Sequence, residues 1–215
     1  MQVLRSWLAA IALAIALAAG VPPSARALTL ADLEAGGSFS VGSLTFSDFD
    51  VLVVGDVSAD LAAYPVQLLA DGFRLTGPLS VLLGEEATVL VSFAVEAAPG
   101  FWIQGASLFA PLVAVGAGDA ALVSDSLLDG GGNPLGTLLA LQVGGVGGPL
   151  ADAAAFAGVA KLEVVKVIAL TSALFAAAPH VDQRFLAVPE PITLALLAGG
   201  LTGLAVAGRR RAVVA

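Results

Sequence analysis

An all-β chain, folded as an antiparallel β-sandwich with a β-barrel as the alternative, is what the central 160 residues predict. Three observations carry that expectation. Apolar and polar side chains alternate with period two over many short stretches, as strand side chains do when one face is buried. Turn-forming pairs such as Asp71-Gly72, Gly77-Pro78 and Pro99-Gly100 interrupt those stretches at short spacing. The same region is rich in Ala, Leu, Val and Gly but poor in the Glu and Lys that clothe helix surfaces. About eight to ten turn-punctuated strands in that length fit a sandwich.

Taken in order, Phe39/Val41 and Leu44/Phe46 alternate with Ser and Thr, and Phe49/Val51/Val53 continue in the opposite phase. A phase flip near Asp48 predicts a bulge or a tight bend. Ser58–Ala63 reads as a helical turn with Ser58 or Asp60 as its cap. Val66–Ala70 and Phe73–Thr76 flank Asp71-Gly72, predicting a hairpin closed by a type I′ turn with positive φ at both central residues. Leu79–Leu83 extends the alternation. Thr88–Glu96 is the clearest strand, with Val89, Val91, Phe93 and Val95 on one face.

Phe101–Phe109 sets Trp102 and Ile103 on opposite faces. Ala121–Leu128 and Gly136–Val143 flank a loop from Asp129 to Pro134. Val143–Leu150 is a glycine-rich connector, and Ala151–Ala157 reads as a helical turn. Lys161–Leu170 sets Leu162, Val164 and Ile168 against Lys161, Glu163, Val165 and Val167. Val181/Gln183/Phe185 is a last short strand.

The two ends carry addresses. Met1–Ala27 has Arg5 in a short basic region, an apolar stretch from Trp7 to Ala19, the helix-breaking pair Pro22-Pro23, and Ala25-Arg26-Ala27. That order predicts a signal-peptide helix cut after Ala27 by signal peptidase. The chain has no cysteine, so neither a lipid on an N-terminal cysteine nor a disulfide is available. At the other end, Ile192–Gly208 is an uncharged run of 17 residues. As a helix it measures roughly 25 Å, at the short end of what spans a bilayer. Arg209, Arg210 and Arg211 orient this transmembrane helix with its C-terminus in the cytoplasm. Pro189 and Pro191 stop the helix and leave Glu190 on an extended, exposed segment just outside the membrane.

The motif Val188-Pro189-Glu190-Pro191, the span 192–208 and the basic cluster 209–211, in that order, resemble the PEP-CTERM sorting signal of bacterial exported proteins. The resemblance implies an inner-membrane-anchored precursor processed by an exosortase-type membrane enzyme. It further implies a product at the cell surface or outside the cell, in an exopolysaccharide-rich envelope. The spacing of Leu30-Ala31-Asp32-Leu33, Gly36–Phe39 and Leu44–Phe49 is similar to the start of many proteins with this signal, and implies no activity. The expected organisation is therefore a signal peptide at 1–27, an extracytoplasmic β-rich domain at 28–187 and a sorting signal at 188–215.

Within 28–187, 16 acidic residues face only Arg74, Lys161, Lys166 and Arg184, which disfavours nucleic acid and anionic membrane surfaces as partners. With His180 as the sole histidine, no cysteine and no Gly-x-Ser-x-Gly, neither a zinc site of the usual kind nor a Ser-His-Asp hydrolase is expected. Asp48, Asp50, Asp56 and Asp60, and separately Asp125, Asp129 and Asn133, offer oxygen ligands for Ca²⁺ but match no calcium loop. Their turn-forming role is the simpler account. Glu85, Glu86, Glu96 and Glu163 are the candidate glycosidase carboxyls, a chemistry that needs two of them facing across a cleft. Trp102 and Tyr64 are the candidate sugar platforms. The expected function is a non-enzymatic structural or interaction protein of the surface or matrix, with no catalytic residue, cofactor or metal. A lectin-like, carbohydrate-binding sandwich is the alternative, and a hydrolase the third reading.

Overall fold

The computed structural model describes residues 27–190 and residue 196. The expected signal-peptide helix, Ala25, Pro191, the span 192–208 apart from Leu196, and Arg209–Arg211 lie outside the described residues. Helix α1 (Leu30–Glu34) opens the domain. Then come β1 (Phe39–Val41), β2 (Leu44–Gly55), a 3₁₀ turn (Leu61–Ala63), β3 (Val66–Leu69), β4 (Gly72–Thr76), β5 (Ser80–Leu82) and β6 (Glu86–Ala97). They are followed by β7 (Phe101–Phe109), β8 (Val113–Ala114), β9 (Ala120–Asp129), β10 (Pro134–Val143), β11 (Val146–Gly147) and β12 (Ala151–Val159). Strands β13 (Lys161–Thr171), β14 (Phe175–Ala177) and β15 (His180–Pro189) close the order.

A seven-stranded sheet runs β1-β2-β6-β13-β9-β10-β11, a five-stranded sheet β12-β7-β15-β4-β3, and a small three-stranded sheet β5-β14-β8. Every strand pair is antiparallel. The fold is a β-sandwich and not a closed barrel, because the sheets keep separate edges.

Alternation builds the core between the two large sheets. Phe46, Phe49 and Phe93 from one meet Phe73 and Phe185 from the other. Phe46 and Phe73 pack edge to face at 5.7 Å, and Phe49 stacks on Phe93 at 5.3 Å. Such pairs add about 0.5–1.5 kcal/mol each beyond the burial of their area. Helix α1 is short and stands on a capping box. Thr29 Oγ1 accepts from the Asp32 amide while Asp32 Oδ2 accepts from the Thr29 amide at 3.0 Å. Buried Asp119 ties the small sheet down by accepting from the amides of Gly116, Ala173, Leu174 and Phe175. Desolvation alone would raise its carboxyl, but those four N–H donors outweigh it and hold the group well below the usual carboxylate range.

Several expectations meet this fold directly. The phase flip is a bulge: pairing of β2 with β6 shifts between Ser47 and Asp50, and Asp48 takes a positive φ of 57°. Asp60 caps the 3₁₀ turn, its Oδ1 accepting from the Ala62 amide. The β3–β4 hairpin forms, but its turn does not take the expected shape. Leu69 pairs with Gly72, so the turn residues are Ala70 and Asp71, and neither Asp71 nor Gly72 has positive φ. Gly72 is needed for a different reason: a Cβ there would run into the Gln183 carbonyl on β15. The helical turn expected at Ala151–Ala157 is instead the edge strand β12, paired with β7. Alanine's helix propensity is a weak preference, and hydrogen bonds to a neighbouring strand override it.

Candidate functional site

The last strand ends in the sorting tripeptide. Two neighbours hold β15 over its first half, with β4 pairing His180–Arg184 and β7 pairing Asp182–Pro189. Strand β4 begins at Gly72, opposite Arg184, and the Phe185 amide still donates to the Asp71 carbonyl, so residues 186–189 are paired on the β7 side alone. In that one-sided stretch Val188 lies opposite Trp102 and Pro189 opposite Phe101, and the Glu190 amide donates to the Gly100 carbonyl at 2.8 Å. Proline at 189 has no N–H, which a one-sided end of a strand tolerates.

Trp102 closes the contact. Its indole Nε1–H donates to Glu190 Oε1 at 2.7 Å. The ring can approach because position 158 on β12 is glycine, where a Cβ would collide with the Trp102 ring. Ile103 is fully buried on the opposite face while Trp102 keeps 39% of its surface exposed, as the alternation predicts. Val188, Pro189 and Glu190 are thus extended, as expected, but half-buried and docked on the domain instead of projecting freely. Ala27, the residue before the expected signal-peptidase cut, is exposed, and the fold begins one residue later, where the Leu28 carbonyl accepts from the Val66 amide.

Beside this stretch lies a cavity of about 550 Å³, where β4 would have continued. Its floor is glycine and alanine from β7 and β12, and Gln104, Ser107, Asp71 and Arg184 supply polar groups. Arg184 donates to Asp71 Oδ1 at 3.2 Å across its rim. On the same strand, Asp182 is chelated by Arg74 through two bonds of 2.6 and 2.9 Å. The Arg74 hydrogen bond holds the Asp182 carboxyl below the ordinary range despite its partial desolvation.

Other candidates separate. Tyr64 is buried, with its hydroxyl donating to the Ser58 carbonyl, and offers no sugar platform. Asp56 accepts from the Glu86 amide, and Asp129 folds its own loop by accepting from Gly131 and Asn133. Among the described residues no three acidic or histidine side chains converge as a cation site. Sequence reasoning offered Asp125 only as a calcium ligand with Asp129 and Asn133, and missed that it meets Lys166 and Gln183 inside the core. Each stands at an inward position between two buried apolar residues of its strand, which was the available signal.

The residues at the end of β15 match a protein family: positions 187–211 carry the PEP-CTERM protein-sorting motif. That makes the chain a protein bearing a C-terminal sorting signal, with the match beginning on the last strand of the folded domain. No curated protein matches. Among solved structures it is similar to TmCBM61 in complex with β-1,4-galactotriose, at 15% identity over 65% of this chain and 88% of that one, TM-score 0.34. It is also similar to the low-affinity xylan-binding module CBM86 from Roseburia intestinalis, at 11% identity over 65% and 97%, TM-score 0.23. A carbohydrate-binding module of Cellvibrio mixtus lichenase 5A, in complex with cellotriose, matches at 11% identity over 61% and 86%, TM-score 0.24. Likenesses of this size carry no argument about ligands.

Proposed function

We propose that this chain is an exported, non-enzymatic surface or matrix protein whose sandwich keeps its own sorting motif docked until a membrane enzyme of the exosortase type takes it. The observation that carries the reading is that the motif at 187–211 starts as a paired strand and is held by the Trp102–Glu190 bond. Residues 186–189 are paired on one side, so a processing enzyme can bind their other edge as an added strand. Removing the tripeptide from β7 then breaks few bonds and leaves the rest of β15 in place.

Glu190→Gln tests this in the native host. Glutamine retains an oxygen that accepts from the Trp102 indole, so docking and span are preserved while the charge is lost. A charge-assisted hydrogen bond is roughly twice as strong as a neutral one, so an enzyme that reads the carboxylate reads the variant poorly. Full-length protein is then expected to accumulate in the membrane fraction. Processing and release at the wild-type level would contradict the reading.

A second reading, a saccharide-binding module, is favoured by the cavity, whose small-residue floor and few convergent polar groups suit a neutral sugar. Trp102 is not among the residues that line the cavity and so offers it no platform. Titration with neutral oligosaccharides checks it, with Gln104→Ala expected to abolish any binding at the cavity.

A further inference from the structure

A buried amine, a carboxyl and a carboxamide meet in the middle of the sandwich. Lys166 and Asp125 face each other on adjacent strands β13 and β9, with Nζ 2.5 Å from Oδ1. From the opposite sheet, Gln183 on β15 accepts from the same Nζ through Oε1 at 2.8 Å. All three are sealed, at 1%, 1% and 0% exposure. Asp125 Oδ2 and Gln183 Nε2 make no hydrogen bond of good geometry, although the Gln183 carboxamide lies close enough to help hold the Asp125 carboxyl down. A merely structural polar cluster pairs its atoms well, so two poorly paired groups at its centre call for another account.

We propose that Lys166 and Gln183 form an isopeptide cross-link between the two sheets, with Asp125 carrying the proton. The amine lies one hydrogen bond from the carboxamide oxygen, which brings it next to the group that holds the electrophilic carbon. Burial pushes the Lys166 ammonium down and, against the pull of Lys166, the Asp125 carboxyl up. Both changes favour the neutral amine and neutral acid that the reaction requires. Nζ attacks Cδ of Gln183 and the Nζ–Cδ bond forms. The Asp125 acid gives its proton to Nε2 and takes one from Nζ. The Cδ–Nε2 bond breaks, ammonia leaves, and Asp125 is restored. One amine and one primary amide become one secondary amide and one ammonia, with no oxidant and no co-reactant. Asp125 is assigned the relay and not the electrophile, because a glutamine in its place has no proton to cycle.

The link would serve a chain without cysteine. A load applied at the C-terminal signal enters the fold through β15, and Gln183 lies on that strand ahead of Glu190. A covalent bond there carries the load into the central strand β13 of the facing sheet.

Peptide mapping by mass spectrometry tests it on the full chain, purified from membranes of a host without the processing enzyme. The expected result is one tryptic peptide, residues 162–184, in which the Lys166 and Gln183 segments stay joined: uncut after Lys166, closed into an internal loop and lighter by one ammonia. Asp125→Asn is expected to give the two segments as separate linear peptides. Linear peptides from the wild-type chain would overturn the proposal, as would a branched peptide lighter by one water that joins Lys166 to Asp125. A Lys166–Gln183 link that persists in Asp125→Asn would overturn the assigned relay.

Discussion

Strand β15 carries two polar contacts of nearly the same length and very different surroundings. Gln183 receives the Lys166 amine at 2.8 Å with β4 and β7 on its flanks and the seven-stranded sheet above it. Glu190 receives the Trp102 indole at 2.7 Å with β7 alone beside it and solvent on the other side. Water can replace the second contact and cannot reach the first. Losing the first therefore leaves a buried group unpaired, whereas losing the second exchanges one hydrogen bond for another. Length does not rank these contacts; burial does. On the proposed function, the strand keeps its hard-to-break contact inside and its breakable one at the rim.

The largest expected effect comes from breaking the inner contact. Lys166→Met strands the Asp125 carboxyl in the core, and leaving a buried polar group without its partner costs about 1–3 kcal/mol. A fall of that size in unfolding free energy, read by denaturant titration, is expected, with much of it recovered in Lys166→Met/Asp125→Leu. A single variant as stable as wild type would remove the contrast between the two ends.

Next comes the acid limb set by Asp182, next to Gln183. Arg74 lowers the Asp182 pKa in the folded chain, against a smaller opposing push from burial. A group with a depressed folded pKa contributes stability that is complete above its unfolded value, about 3.9, and is lost as pH falls through the folded value. Melting temperature is therefore expected to drop on acidification below about pH 4. Asp182→Asn is expected to lower the neutral-pH value and flatten that part of the acid limb.

Smallest in global stability, and most local, is Trp102→Phe. It deletes one half-exposed hydrogen bond, worth about 1 kcal/mol at most. Its expected signature is faster processing of the C-terminal signal in the native host, with the melting temperature nearly unchanged. Gly158→Ala is expected to act in the same direction by displacing the Trp102 ring.

Much of this was legible in the chain because it is local. The tripeptide, the bulge at Asp48 and the inward set of each strand follow from neighbours a few residues apart. What joins distant strands was not. Lys166 and Asp125 are separated by 41 residues and Trp102 and Glu190 by 88, so no periodicity announces either meeting. The inward phase of Lys166, between Val164 and Ile168, marked it as buried but not what it would touch. The edge strand at Ala151 was misread because six of its nine residues are small, and small residues say little until a partner strand is placed beside them.

Amide hydrogen exchange along β15 tests most directly the claim that one strand is locked in its middle and releasable at its end. The amides of Asp182 to Phe185 are expected to exchange only with global unfolding, and the Glu190 amide, bonded to Gly100, through local opening many times faster. Trp102→Phe is expected to accelerate Glu190 further and leave Gln183 unchanged. Equal protection from Asp182 through Glu190, insensitive to Trp102, would contradict the account.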